Sequence, residues 1–114
     1  MISNIGIDIE EVSRFKRIDK KLLEKFLTKD EIKNLKNKNA EHIAGLFCAK
    51  EAVIKACNPT EEIDFTKIQI LHNKDSSPYA LLKSKKIKGK DLKISISHSK
   101  NYAVAAAIRG EQLE

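Results

Sequence analysis

Two carboxylates and two lysines carry the chemistry that this chain offers. Glu51 sits in FCAKEAVIKA, residues 47 to 56, flanked by Lys50 and Lys55. Asp8 sits near the N-terminus in NIGIDIE. Burying a charge is costly unless it is paired or coordinated, so charges within an apolar helix either lie on a wet stripe or belong to a site. Mg2+ is usually held by one or two carboxylates together with substrate phosphates and waters. Asp8 and Glu51 suit such a cation, with Lys50 and Lys55 contacting phosphate as point charges. The plainer alternatives are an Asp8 that faces solvent from a strand, and an exposed Glu51–Lys55 pair one helical turn apart, which is worth about 0.2–0.5 kcal/mol. His98, in SISHSK, ends a strand on the face of Ile94 and Ile96, where a lone histidine is ordinarily structural. The sequence has no Cys/His cluster for zinc, no Walker loop, no paired-glycine dinucleotide fingerprint and no nucleophile elbow.

The elements that must position these residues follow from periodicity. NIGIDIE alternates Ile5, Ile7 and Ile9 against Gly6, Asp8 and Glu10, a strand pattern of period two. EVSRFKRI offers Val12, Phe15 and Ile18 as a short helical face, with Arg14, Lys16 and Arg17 pointing elsewhere. Thr28 and Glu31 form a capping box that starts a short helix, whose Ile32 and Leu35 point inward and whose other side chains are solvated. Asn39 caps a long helix over residues 40 to 57, and Asn58 and Pro59 stop it. FTKIQIL, YALL, LKISISH and YAVAAAI read as strands. NKDSSP and SKN are turns, and KSKKIKGK is a basic loop. The expected fold is α+β, a small antiparallel sheet packed against a long central helix, with residues 1–114 as a single domain.

Composition bounds the partners. The 114 residues carry a net charge of +6, with 41% hydrophobic and 33% charged residues, a soluble globular balance. The isoelectric point near 9.3 favours acidic partners: phosphates, nucleic acid or an acidic protein. Aromatics are only 5% and Trp is absent, which weakens a single-strand nucleic-acid reading that needs stacking platforms. No apolar run approaches the ~20 residues of a membrane span, and the N-terminus lacks a secretory signal pattern. Cys48 and Cys57 would lie about 13 Å apart along the long helix, too far to bridge. Both are expected to be reduced core residues of a cytoplasmic protein. On residue types alone, a small basic RNA- or ribosome-binding module remains the alternative.

Three segments together resemble the holo-acyl-carrier-protein synthases, the small bacterial phosphopantetheinyl transferases: GIDIEEVSRF, FCAKEAVIKA and ISISHSKNYAVAAAI. LTKDEI and FTKIQIL fit in order and spacing. The resemblance implies the phosphopantetheinyl transferase fold and transfer of phosphopantetheine from coenzyme A to a serine of apo-acyl carrier protein, leaving adenosine 3',5'-bisphosphate. It implies Asp8 and Glu51 as Mg2+ ligands, Glu51 and Lys55 as catalytic residues, and Lys50, Lys55, Pro78, His98 and Ser99 beside coenzyme A. It implies Arg14 and Arg17 on the surface that meets the acidic carrier, and a homotrimer with sites between subunits. The proton acceptor is either Glu51 or a metal-bound water. Many relatives have a basic residue in place of Leu46, a glycine-rich run in place of CNPTEEI, and Gly-Lys-Pro in place of Ser76, Ser77 and Pro78. Lys74 and Lys85 are therefore the candidates for 3'-phosphate contacts.

Overall fold

The computed structural model describes residues 2–35, 39–57, 63–83 and 91–110. The strands are β1 (Ile2–Glu11), β2 (Ile68–His72), β3 (Pro78–Leu82), β4 (Leu92–His98) and β5 (Tyr102–Gly110). The helices are α1 (Lys20–Phe26), α2 (Lys29–Lys33) and α3 (Ala40–Ala56), with 3-10 turns at Val12–Phe15 and Phe65–Lys67. A three-stranded antiparallel sheet has the order β1-β5-β4, and β2 and β3 form a separate antiparallel hairpin. The expected α+β architecture is borne out, with two sheets rather than one.

Local chemistry accounts for the helix ends. Asn39 caps α3 by accepting from the Glu41 N–H at 2.7 Å. The Thr28–Glu31 capping box is present at α2. Asp19 caps α1 by accepting from the Leu22 N–H, and this helix was not among the elements expected. The helix stop expected at Asn58 and Pro59, the basic loop beyond Lys83 and Lys85 itself lie outside the described residues. All four phenylalanines form one cluster. Phe47 of α3 touches Phe15, Phe26 and Phe65 with ring centroids 5.3–5.4 Å apart, and Phe15 also meets Phe26 edge-on. Such aromatic pairs contribute about 0.5–1.5 kcal/mol each beyond their burial.

The orientation of β1 decides where the site can be. Gly6, Asp8 and Glu10 face α3, while Ile5, Ile7 and Ile9 point away and are 58–59% exposed. Inward Ala103, Ala105 and Ala107 make the central strand thin, so α3 lies close across it. Asp8 therefore does not face solvent from the strand, as one of the plainer alternatives had it. Contact between β1 and α3 is closest at Gly6, where an added Cβ would stand 1.9 Å from the Ala52 carbonyl oxygen. No side chain fits there without moving β1 off the helix. Gly6→Ala is expected to destabilise the fold by at least about 3 kcal/mol, the upper range for overpacking. Denaturant or thermal unfolding measures this directly.

Candidate active site

Asp8 and Glu10 project from the inner face of β1, and Glu51 projects toward them from α3. Burial raises the pKa of Glu51, and the nearby charges of Asp8 and Glu10 raise it further, while Lys55 opposes them. The Asp8 Oδ2 atom is buried and meets no N–H or O–H donor among the described residues, and the Cys48 thiol, a weak donor, lies against the Asp8 carboxylate. A buried carboxylate oxygen left in that state calls for a cation. Lys55 meets part of the demand: its Nζ donates to the Ile7 carbonyl at 2.9 Å and lies 3.6 Å from Asp8 Oδ1. It thus reaches back to β1 as well as bearing on Glu51, and half of its side chain stays in solvent.

The two carboxylates, hard oxygen donors of the kind Mg2+ takes, are brought together with Lys55. No cluster of three or more His, Cys, Asp or Glu side chains suited to a metal occurs among the described residues. A cation at Asp8 and Glu51 would accordingly need ligands from outside the chain, which matches Mg2+ held partly by substrate phosphate.

Lys50 is a correction. It was expected among the coenzyme A contacts, but it is completely buried. Its Nζ donates to the Phe26 carbonyl at 2.7 Å, to Glu31 Oε1 and to the Phe65 carbonyl at 3.0 Å. All three ammonium hydrogens are used, so none is left for a phosphate. Burial lowers the Lys50 pKa, and Glu31 works against that. Glu31 is likewise buried rather than solvated. The α2 pattern hid this, because a capping-box glutamate normally faces water.

The remaining expected residues lie along the sheet ends. His98 and Glu10 flank Ala103 across three adjacent strands, about 10 Å apart at two strand spacings. His98 Nδ1 stands 3.6 Å from Glu41 Oε2. His42 and His72 stack nearby with centroids 6.2 Å apart, and burial, His72 and His98 together lower the His42 pKa. Ser99 closes the β4–β5 turn, its N–H donating to the Tyr102 carbonyl at 2.8 Å. Pro78 opens β3 and is half-buried. Arg14 is exposed and paired to Glu10, and Arg17 is exposed. Lys74 is exposed in the β2–β3 turn, where Ser76 adopts a φ of 72°. Sequence reasoning missed Glu10 as a third carboxylate, although its two-residue spacing from Asp8 on a strand was the available signal. A cavity of about 990 Å3 opens elsewhere, between α1, α2 and the β2–β3 hairpin, and none of these carboxylates lines it.

Residues 4–107 match the family model of the 4'-phosphopantetheinyl transferase superfamily. The holo-[acyl-carrier-protein] synthase of Thermodesulfovibrio yellowstonii is 41% identical over 116 residues, covering 95% of this chain and 98% of the relative. A crystal structure of a Bacillus anthracis holo-(acyl-carrier-protein) synthase, in complex with CoA (3',5'-ADP), has a TM-score of 0.81 at 32% identity, covering 97% of this chain and 99% of the other. The Helicobacter pylori synthase structure, in complex with coenzyme A, has a TM-score of 0.81 at 34% identity, covering 93% and 99%. The chain belongs to the 4'-phosphopantetheinyl transferase superfamily. Within it, the expected enzyme class, that of the holo-acyl-carrier-protein synthases, is borne out, and the RNA-binding alternative falls away.

Neither thiol is suited to act as a nucleophile. Cys48 and Cys57 are reduced thiols, both fully buried, and burial together with Asp8 pushes the Cys48 pKa up to about 12. Thiol-reactive disulfide reagents at pH 8 are expected to leave both cysteines unlabelled in the folded protein and to label both after denaturation, as mass spectrometry would record.

Proposed function

We propose that this chain transfers 4'-phosphopantetheine from coenzyme A to a serine of apo-acyl carrier protein, with Mg2+ held by Asp8 and Glu51. The observation that carries the metal assignment is the buried Asp8 Oδ2, which meets no N–H or O–H donor among the described residues, beside the like charge of Glu51. When bound with the coenzyme A pyrophosphate, Mg2+ supplies neutralisation of the charge that spreads over the phosphoryl oxygens. Lys55, anchored by the Ile7 carbonyl, retains donor capacity for a pyrophosphate oxygen. In this reading the Glu51 carboxylate accepts the serine proton. The serine oxygen forms its bond to phosphorus as the pyrophosphate P–O bond breaks, leaving adenosine 3',5'-bisphosphate. The nucleophile comes from the partner, which accords with the full burial of both cysteines.

His98 and Ser99, at one end of the same sheet, and Pro78 at the start of β3 are proposed coenzyme A contacts, with Lys74 as a further cation for the 3'-phosphate. Arg14 and Arg17 are proposed carrier contacts. Residues 1–114 act in this reading as a single transferase domain of the cytoplasm. No helix among the described residues is long and apolar enough to cross a membrane. The exposed row of Ile5, Ile7 and Ile9, beside Tyr102 and Val104, supports assembly of the sheet faces into a homotrimer.

Incubating the protein with coenzyme A, Mg2+ and apo-acyl carrier protein is expected to raise the carrier's mass by one phosphopantetheine. No mass change would refute the activity. Asp8→Ala and Glu51→Ala are each expected to lower kcat on the order of 10³-fold while the fold persists. Near-wild-type rates at limiting Mg2+ would remove the metal assignment. Lys55→Ala is expected to lower kcat more than it changes the KM for carrier.

Arg14 is best tested by Arg14→Ala, because a glutamate there would repel Glu10. The expected result is a roughly tenfold rise in carrier KM, little change for coenzyme A, and a wild-type carrier KM that climbs with salt. A carrier KM that does not respond to salt would contradict this docking surface.

A further inference from the structure

The Lys50–Glu31 pair joins four segments. Lys50 Nζ reaches the last residue of α1 (the Phe26 carbonyl), Glu31 in α2, and the Phe65 carbonyl in the 3-10 turn ahead of β2. Glu31 Oε1 also accepts from the Thr28 N–H at 2.8 Å, and Oε2 accepts from the Ile70 N–H of β2 at 2.8 Å. Thr28 Oγ1 meets Gln69 Oε1 at 2.8 Å alongside. Both charged side chains are at most 4% exposed. A buried ion pair generally stabilises a fold no better than an apolar pair of the same volume, and its best-attested use is to fix register.

Hydrogen bonds are directional, whereas apolar contacts tolerate sliding. A one-residue slip of α3 would move its side chains ~1.5 Å along the axis and ~100° around it, swinging Glu51 off the carboxylate face of β1. Lys50 and Glu51 are successive residues on different sides of the helix. The knot therefore grips α3 from one side while Glu51 works on another.

We propose that the Lys50–Glu31 knot is a positioning device for the transfer reaction: three fixed acceptors set the rotation and height of α3, and thereby hold Glu51 opposite Asp8. Lys50 and Glu31 are positioning residues that touch no substrate. The inference rests on the reading of Asp8 and Glu51 as a metal-holding pair.

The test compares wild type with Lys50→Met, Glu31→Gln and the double variant. Lys50→Met strands a buried carboxylate and should lower the melting temperature most. The double variant removes both charges and should recover much of that loss. Glu31→Gln keeps the side chain's volume and one acceptor oxygen, enough for the Thr28 N–H or the Ile70 N–H but not for both, so it is the mildest single change and is expected to give a folded sample. Two quantities are then read in each variant that circular dichroism shows to be folded. One is the Mg2+ concentration giving half of the thermal shift with coenzyme A present. The other is kcat for carrier modification.

The expected result is a rise of about tenfold or more in the half-shift Mg2+ concentration, as for loss of residues that orient metal ligands, with a similar fall in kcat. Both should persist in the double variant despite its recovered melting temperature. Wild-type Mg2+ dependence in the folded knot variants would overturn the proposal and leave the pair a purely structural role. Asp8→Ala and Glu51→Ala run in parallel. If they also keep the wild-type Mg2+ shift, the metal pair itself is wrong. If they lose it while the knot variants do not, only the positioning inference fails.

Discussion

The site depends on one close approach, that of β1 to α3 at Gly6 and the Ala52 carbonyl. A strand normally stands about 10 Å from the layer that covers it because side chains fill the gap. At Gly6 there is no side chain, and on the neighbouring strand the inward positions are Ala103, Ala105 and Ala107. The helix can therefore settle into the sheet instead of resting on top of it. This brings a short Asp8 side chain within electrostatic reach of Glu51. Larger residues at these places would move the two carboxylates apart without altering the topology.

The three charges in the second half of α3 meet three different fates, and solvent access sorts them. Lys50 lies in the core and is held by two carbonyls and a carboxylate. Glu51 is half-buried beside two like charges, which raises its proton affinity. Lys55 is largely in water yet reaches the Ile7 carbonyl and Asp8. Residue type and spacing alone do not separate these environments. Lys55 stands one turn from Glu51, the spacing of an ordinary surface pair, and Lys50 is its immediate neighbour in an equally apolar stretch.

Much of the fold was legible. Alternation marked β1, β2 and β4, YAVAAAI read as a final strand or buried run, and the capping signals at Asn39 and Thr28 marked two helix starts. Helix α1 was not, because KKLLEKF between basic residues shows only a short apolar face, Leu23 and Phe26. The direction of β1 was also hidden. By pattern, three isoleucines look like the buried face, yet the glycine and two acids turn inward. Packing against α3 overrides hydropathy there. In the site, Asp8 and Glu51 could be picked out by type, and their meeting could not. Lys50 was misread because a buried lysine takes its meaning from distant acceptors, and nothing in the local sequence points to Phe26, Glu31 and Phe65 together.

The outward isoleucines are the counterpart of this inversion. With a glycine and two carboxylates inward on β1 and three alanines inward on β5, the large apolar side chains of the inner face come from Leu92, Ile94 and Ile96 of β4 alone. The large side chains of β1, Ile5, Ile7 and Ile9, lie on the other side, and β1 and β4 stand at the two edges of the three-stranded sheet. Edge strands with exposed apolar faces invite pairing and aggregation unless something covers them. In the proposed trimer, copies of the same face would cover one another. Assembly would then compensate for the polar lining of the site, and the stability of the subunit would be tied to the same strand that carries Asp8.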